Sequence, residues 1–191
     1  MIELGRKQAL MVVKKTEFGV YLGTEDDKVL LPAKYADPDI EEGDSMTVFV
    51  YRDSKDRLIA TTLEPLITLG EVKPLKVKQL TKIGAFMDWG LEKDLLLPFS
   101  EQTSRVEEGR TYPVALYIDK SDRLCATTKI YPYLKTTDAY HTGDSVKGTA
   151  YEYIEKFGMF VAIDNMYQGL IPKKALYGRI RIGDEVKATV S

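Results

Sequence analysis

The chain has 191 residues, 44% of them hydrophobic and 29% charged, with 27 lysines and arginines against 29 carboxylates for a net charge of −2. That apolar content excludes a disordered chain, and the charge balance lacks the basic surplus of a strong nucleic-acid binder. The single Cys125 excludes an intramolecular disulfide, and with no secretory leader and no long apolar run the chain is expected to be cytoplasmic and not membrane-bound.

Reading from the N-terminus, EFGVYLGTEDDKVLLP sets Phe18 and Tyr21 around Gly19 and runs through leucines into Pro32. The turn PAKYADPDI follows, then Gly43, a strand at Met46–Tyr51 and the charged turn DSKDRLIATT from Asp53. The same order then recurs. KIGAFMDWGLEKDLLLP runs from Gly84 into Pro98, followed by PFSEQTSRV, Gly109, a strand at Pro113–Ile118 and DKSDRLCATT from Asp119. A third copy, KFGMFVAIDNMYQGLIP, runs from Gly158 into Pro172 and on through PKKALYGRI to Gly183. The first glycine precedes the proline by 13, 14 and 14 residues and the second glycine by 24, 25 and 25; the two charged turns lie 66 residues apart and match at seven of ten positions. Self-similarity at a fixed period defines the structural unit, and a period of 65 to 74 residues is that of a small domain rather than a solenoid repeat.

Short runs rich in β-branched and aromatic residues, bounded by EEGD, EEGR, DSKD and DKSD, predict an all-β chain. Each copy reads as five strands with one short helical turn after the proline, between the third and fourth strands. A glycine inside a strand marks a bend at a barrel corner, and the order fits a five-stranded Greek-key barrel of the OB type. Three tandem barrels are expected at residues 1–66, 67–134 and 135–191. The third stops at Ala188-Thr-Val-Ser191 without a counterpart of DSKDRLIATT, so it is expected to lack its C-terminal strand and to offer an open edge for dimerisation. The joins EPLITLGEVKP and YPYLKTTDAYHTGD hold proline and apolar residues, which predicts semi-rigid connections.

The run GDSVKGTAYEYIEKFGMFVAI, followed by GLIP and IGDEVKATV, resembles the S-one RNA-binding motif of ribosomal proteins and ribonucleases. Three such copies in tandem resemble the bacterial conserved virulence factor B family, whose barrels are followed by a C-terminal winged helix. The resemblance implies a stacking platform at Phe157 and Phe160 in the third copy, at Phe18 and Tyr21 in the first, and at Phe86 in the second, where Ile83 replaces its partner. It places the motif's aspartate and arginine on Asp53 with Arg57 and on Asp119 with Arg123, and its histidine position on Pro32, Pro98 and Pro172, where that contact is absent. Lys156 and Lys82 adjoin the platforms and join the predicted RNA-binding set. Single-stranded RNA is the implied partner, and post-transcriptional regulation of virulence the implied role.

The residue types suit that role on physical grounds. An exposed ring gains roughly 1 to 3 kcal/mol per stacked base, and arginine adds a planar cation. Residues three apart in a flat strand face opposite sides, so the glycine bend is required to bring Phe157 and Phe160 together. Against this, aromatic residues in short strands belong most often to the core. The three copies carry net charges of −4, +1 and +1, which favours the second and third, where Lys76, Lys78, Lys82, Lys156, Lys173, Lys174, Arg179 and Arg181 offer a basic track.

No enzyme is expected. His141 is the only histidine and lies in a linker-like stretch, Cys125 occupies the apolar strand position of Ile59, and neither a zinc ligand set nor a P-loop is present, so no cofactor is expected either. Two readings stand: an RNA-binding protein whose rings are exposed, and a protein-interaction array whose rings are occluded at barrel contacts.

Overall fold

The computed structural model describes residues 1–191. In the first copy, β1 (Lys7–Thr16), β2 (Gly19–Gly23), β3 (Lys28–Pro32), β4 (Ser45–Arg52) and β5 (Leu58–Thr61) form a closed barrel in the order β1-β2-β3-β5-β4. All of its recorded pairings are antiparallel except β3 with β5, which meet in parallel at Leu30 and Ile59. Alternation along the strands sends Val12, Val20, Leu22, Val29, Leu31, Val48, Val50 and Ala60 inward to one core cluster. Each large side chain so buried contributes about 1.5 to 3 kcal/mol relative to exposure.

The second copy repeats the order with β6 (Val72–Leu80), β7 (Gly84–Asp88), β8 (Leu95–Pro98), β9 (Thr111–Ile118) and β10 (Leu124–Thr127), arranged β10-β9-β6-β7-β8. The third has β11 (Ser145–Ile154), β12 (Gly158–Ile163), β13 (Tyr167–Pro172) and β14 (Glu185–Thr189) in a four-stranded sheet, β13-β12-β11-β14, with no strand at the fifth position. Lys135 makes an isolated parallel bridge to Tyr167: its N–H donates to the Met166 carbonyl, and its own carbonyl accepts from Gln168. One 3₁₀ turn follows each strand-ending proline, at Ala33–Tyr35, Phe99–Glu101 and Lys173–Ala175, and a fourth spans Tyr131–Tyr133. The protein is therefore all-β, built of tandem OB-type barrels.

The repeated glycine has one structural cause in all three copies. Gly19, Gly84 and Gly158 open β2, β7 and β12, and pair across the ladder with Pro32, Pro98 and Pro172. Their φ angles are +148°, +147° and +128°, and a Cβ at any of them would drive into the carbonyl oxygen of Leu31, Leu97 or Ile171. The conserved spacing to proline is thus a hairpin register. The second glycine repeats as well: Gly43, Gly109 and Gly183 donate to the carbonyls of Val12, Val77 and Ala150, at the points where β1, β6 and β11 each carry a register shift. Such bulges increase local twist and let a long first strand serve both sides of a barrel.

The DSKDR repeat forms the β4–β5 and β9–β10 turns. Asp53 Oδ1 accepts from the N–H of Lys55 at 2.9 Å and Arg57 at 3.0 Å; Asp119 Oδ1 accepts from Ser121 at 2.7 Å and Arg123 at 3.0 Å. Asp56 and Asp122 take φ of +58°, a left-handed conformation that aspartate tolerates. Burial alone would raise the Asp53 carboxyl, but the Arg57 and Lys55 N–H groups and the Arg57 guanidinium outweigh it and hold it below the usual carboxylate range.

The chain divides into two compact units. One is Met1–Leu69 with Gly90–Lys93 and Ile118–Leu124; the other is Gly70–Trp89, Asp94–Tyr117 and Cys125–Ser191. Two loops of the second copy thus cluster with the first barrel. Glu92 accepts the Tyr35 hydroxyl at 2.5 Å and pairs with Lys34, while Arg52 Nε donates to the Asp122 carbonyl at 2.7 Å. In the other unit Val72, Ala115, Ile130, Leu134, Tyr151 and Ala162 form a core cluster where the second and third sheets meet. Thr103 Oγ1 donates to the Tyr151 carbonyl at 2.6 Å and Arg110 pairs with Asp184 at 2.9 Å across the same seam.

Two predictions follow from this geometry. Gly84→Ala is expected to lower the stability of its unit by roughly 3 kcal/mol or more, and Gly109→Ala, at φ +84° with open space around it, by only about 1 kcal/mol. Urea titrations followed by the buried Trp89, the sole tryptophan, decide this, and equal midpoints for the two variants would refute it. Because the folded Asp53 carboxyl titrates below its unfolded value, its contribution is full above about pH 4 and is lost as pH falls through the folded value. Asp53→Asn should therefore cost under about 1 kcal/mol at neutral pH, and the gap from wild type should close in acid. A gap in the urea midpoint, followed by circular dichroism, that persists unchanged to pH 2 would count against this.

Candidate nucleic-acid interface

Gly158 reverses the facing of its neighbours. Its positive φ brings Phe157 and Phe160, three residues apart, to one side with ring centroids 6.3 Å apart and planes at 78°. Phe157 is 48% exposed, and Lys156 Nζ lies 5.6 Å from its centroid. Phe160 is half-buried. Tyr151 contacts it at 6.3 Å, and Tyr131, from the 3₁₀ turn after β10, meets it edge-on at 6.1 Å. Tyr151 itself is buried in the β11 bulge; its hydroxyl has no hydrogen-bond partner, and burial pushes the phenol above its ordinary value.

The other predicted residues are placed differently. Phe18 is 70% exposed, whereas Tyr21 is half-buried with Lys28 Nζ 5.7 Å from its centroid, and no ring contact joins the two. Phe86 is half-buried, next to Ile83 at 60% exposure and an exposed Lys82. Full exposure of both rings of a pair, the expectation for a free platform, therefore does not hold. The inner ring at Phe160, Tyr21 and Phe86 sits within a strand and is half-buried, while the outer residue, Phe157, Phe18 or Ile83, stands on the turn before the glycine.

Arg57 is held by Asp53 at 2.9 Å and Arg123 lies 3.6 Å from Asp119, so both complete the hairpin turns described above, their side chains still 68% and 52% exposed. An open cleft of about 400 Å³ is lined by Arg52, Asp56, Ser121, Asp122 and Arg123. Of the predicted basic track, Lys78, Lys173 and Arg181 are engaged by Asp94, Glu155 and Glu107, leaving exposed Lys76, Lys82, Lys156, Lys174 and Arg179 outside the ion pairs.

Sequence reasoning missed two aromatic side chains. Phe99 follows Pro98 and lies under the Arg105 guanidinium, 4.1 Å from its centroid. Tyr131 sits in a stretch that reads as a join; the signal for it was the aromatic pair in YPY, directly after a strand. No group of three or more His, Cys, Asp or Glu side chains is arranged for a metal ion, Cys125 is buried, and no helix is long and apolar enough to cross a membrane.

Comparison with known proteins places this architecture. The S1 domain family model matches residues 4–63 and again 69–129, the first two copies and well over half of the chain. The uncharacterized protein YitL of Bacillus subtilis (strain 168) is 35% identical over 94 residues, 49% of this chain and 32% of that one; the chain spans about a third of that relative's length. Among solved structures, a multidomain protein with nucleic acid binding domains from Streptococcus pneumoniae TIGR4 superposes with a TM-score of 0.63 at 20% identity, over 98% of this chain and 68% of that one, a likeness of fold. With two matched copies on OB-type barrels, the chain belongs to the S1 domain family.

Proposed function

We propose that the protein binds single-stranded RNA without catalysing a reaction, stacking bases on exposed aromatic side chains and holding phosphates with nearby lysines. The observation that carries this is the Phe157 and Phe160 pair, gathered at the Gly158 bend under Lys156. Membership of the S1 domain family and the shared fold with a protein of nucleic acid binding domains support a nucleic-acid-binding role. Stacking needs no particular base, so the expected mode is sequence-tolerant, with modest affinity gathered over the barrel modules 1–66, 67–134 and 135–191. The wider role we propose is that of a cytoplasmic, bacterial post-transcriptional regulator of the conserved virulence factor B type, acting with a winged-helix region of the whole protein. The open edge of the third barrel, at β14, is the proposed site for pairing with a second chain. A second reading, a protein-interaction array, draws on the partial cover of Phe160 by Tyr131 and Tyr151.

Fluorescence anisotropy of a labelled unstructured RNA across a salt series separates the two. Phe157→Ala is expected to weaken binding roughly 5- to 100-fold without changing the salt slope. Lys156→Ala should lower the slope of log affinity against log salt by about 0.7, one phosphate contact on a single strand. Folded wild type that binds no RNA at low salt would sink the reading in favour of the array.

A further inference from the structure

We propose that Tyr131 is a third stacking residue, so that the second and third copies engage one continuous stretch of single-stranded nucleic acid across their seam; this rests on the proposed RNA-binding function. Three rings run in sequence along that seam: Phe157 to Phe160 at 6.3 Å and Phe160 to Tyr131 at 6.1 Å, each edge to face. The outer two are both 48% exposed. Apart from its edge contact with Phe160 the ring lies on the surface, and the buried core of the seam is made by its neighbours: Ile130 and Leu134 are buried in the core cluster and Tyr133 packs against it. Those anchors also fix the turn. The Tyr133 N–H donates to the Ile130 carbonyl at 2.8 Å, the Leu134 N–H to the Tyr131 carbonyl at 3.2 Å, and Pro132 restricts the backbone between them. A tyrosine on so fixed a turn loses little freedom on binding, the condition under which an aromatic side chain contributes most.

The first copy lacks this ring, since Pro65 stands 66 residues before Tyr131. The feature therefore belongs to the seam and not to the repeated barrel. Exposed Lys156 at one end and exposed Lys129, two residues before Tyr131, at the other supply cations for the phosphates, which favours a nucleic acid over an apolar peptide.

The test uses the 191-residue chain and a fluorescein-labelled oligouridine of about 12 nucleotides, within the usual reach of such modules. Tyr131→Ala should weaken binding roughly 5- to 100-fold, while Tyr131→Phe, which keeps the ring, should bind as wild type does. Trp89 fluorescence and the urea midpoint should be unchanged in both. If Phe157→Ala loses affinity and folded Tyr131→Ala does not, the third ring is overturned and the RNA-binding reading stands. If wild type itself does not bind at low salt, the RNA reading fails, and the inference with it. Should Tyr131→Ala not fold, Tyr131→Leu decides: folded with weakened binding supports the ring, folded with wild-type binding overturns it.

Discussion

The structure depends on a backbone approach that only glycine permits. At Gly19, Gly84 and Gly158 the chain passes so close to the facing strand that any side chain would collide with a carbonyl, and it does so at a φ that other residues adopt only at a cost. That contact locks the hairpin register against the strand-ending proline, and the register places the following 3₁₀ turn. Because the bend also inverts which face the preceding residue occupies, the same constraint that closes the sheet puts a large apolar side chain, Phe18, Ile83 or Phe157, outside it. Fold and surface chemistry thus share one cause.

What distinguishes the copies is what surrounds the bend. Phe18 stands nearly alone on its turn, in the copy with the largest negative charge. In the second copy an isoleucine takes the outer position, and its phenylalanine lies half-buried beside leucine-rich strands. Only in the third do two rings touch, with a lysine over the outer one and a tyrosine from the preceding copy against the inner one. A repeated scaffold has acquired unequal surfaces because stacking requires just a few outward positions, and those are free to vary while the glycine and the inward strand residues are not.

Much of the barrel architecture was legible in the sequence because its determinants are local and repeated. The glycine-to-proline spacing is a hairpin register, EEGD marks the turn that feeds the bulge, and DSKDR encodes a turn through one carboxylate accepting two backbone N–H groups. The exposure of the rings was not legible. Phe160 and Phe157 look equivalent in FGMF, yet one is half-covered by Tyr151 and Tyr131, which lie 9 and 29 residues away, and solvent access depends on those partners. The DSKDR arginines have a part that their motif position did not announce: paired with Asp53 and Asp119, they complete their own turns. Tyr131 escaped notice because no periodicity flags a residue in a join; its meaning arises only once two copies pack together.

The bridge at Lys135 gives that join a further significance. By pairing with both Met166 and Gln168, the backbone between β10 and β11 is sewn onto the outer edge of β13, beside a core cluster drawn from both copies. A flexible tether would let the second and third sheets loosen independently, as beads do. Joined in this way, the two sheets draw on one set of backbone hydrogen bonds and one core cluster, so a change in either bears on packing that the other shares.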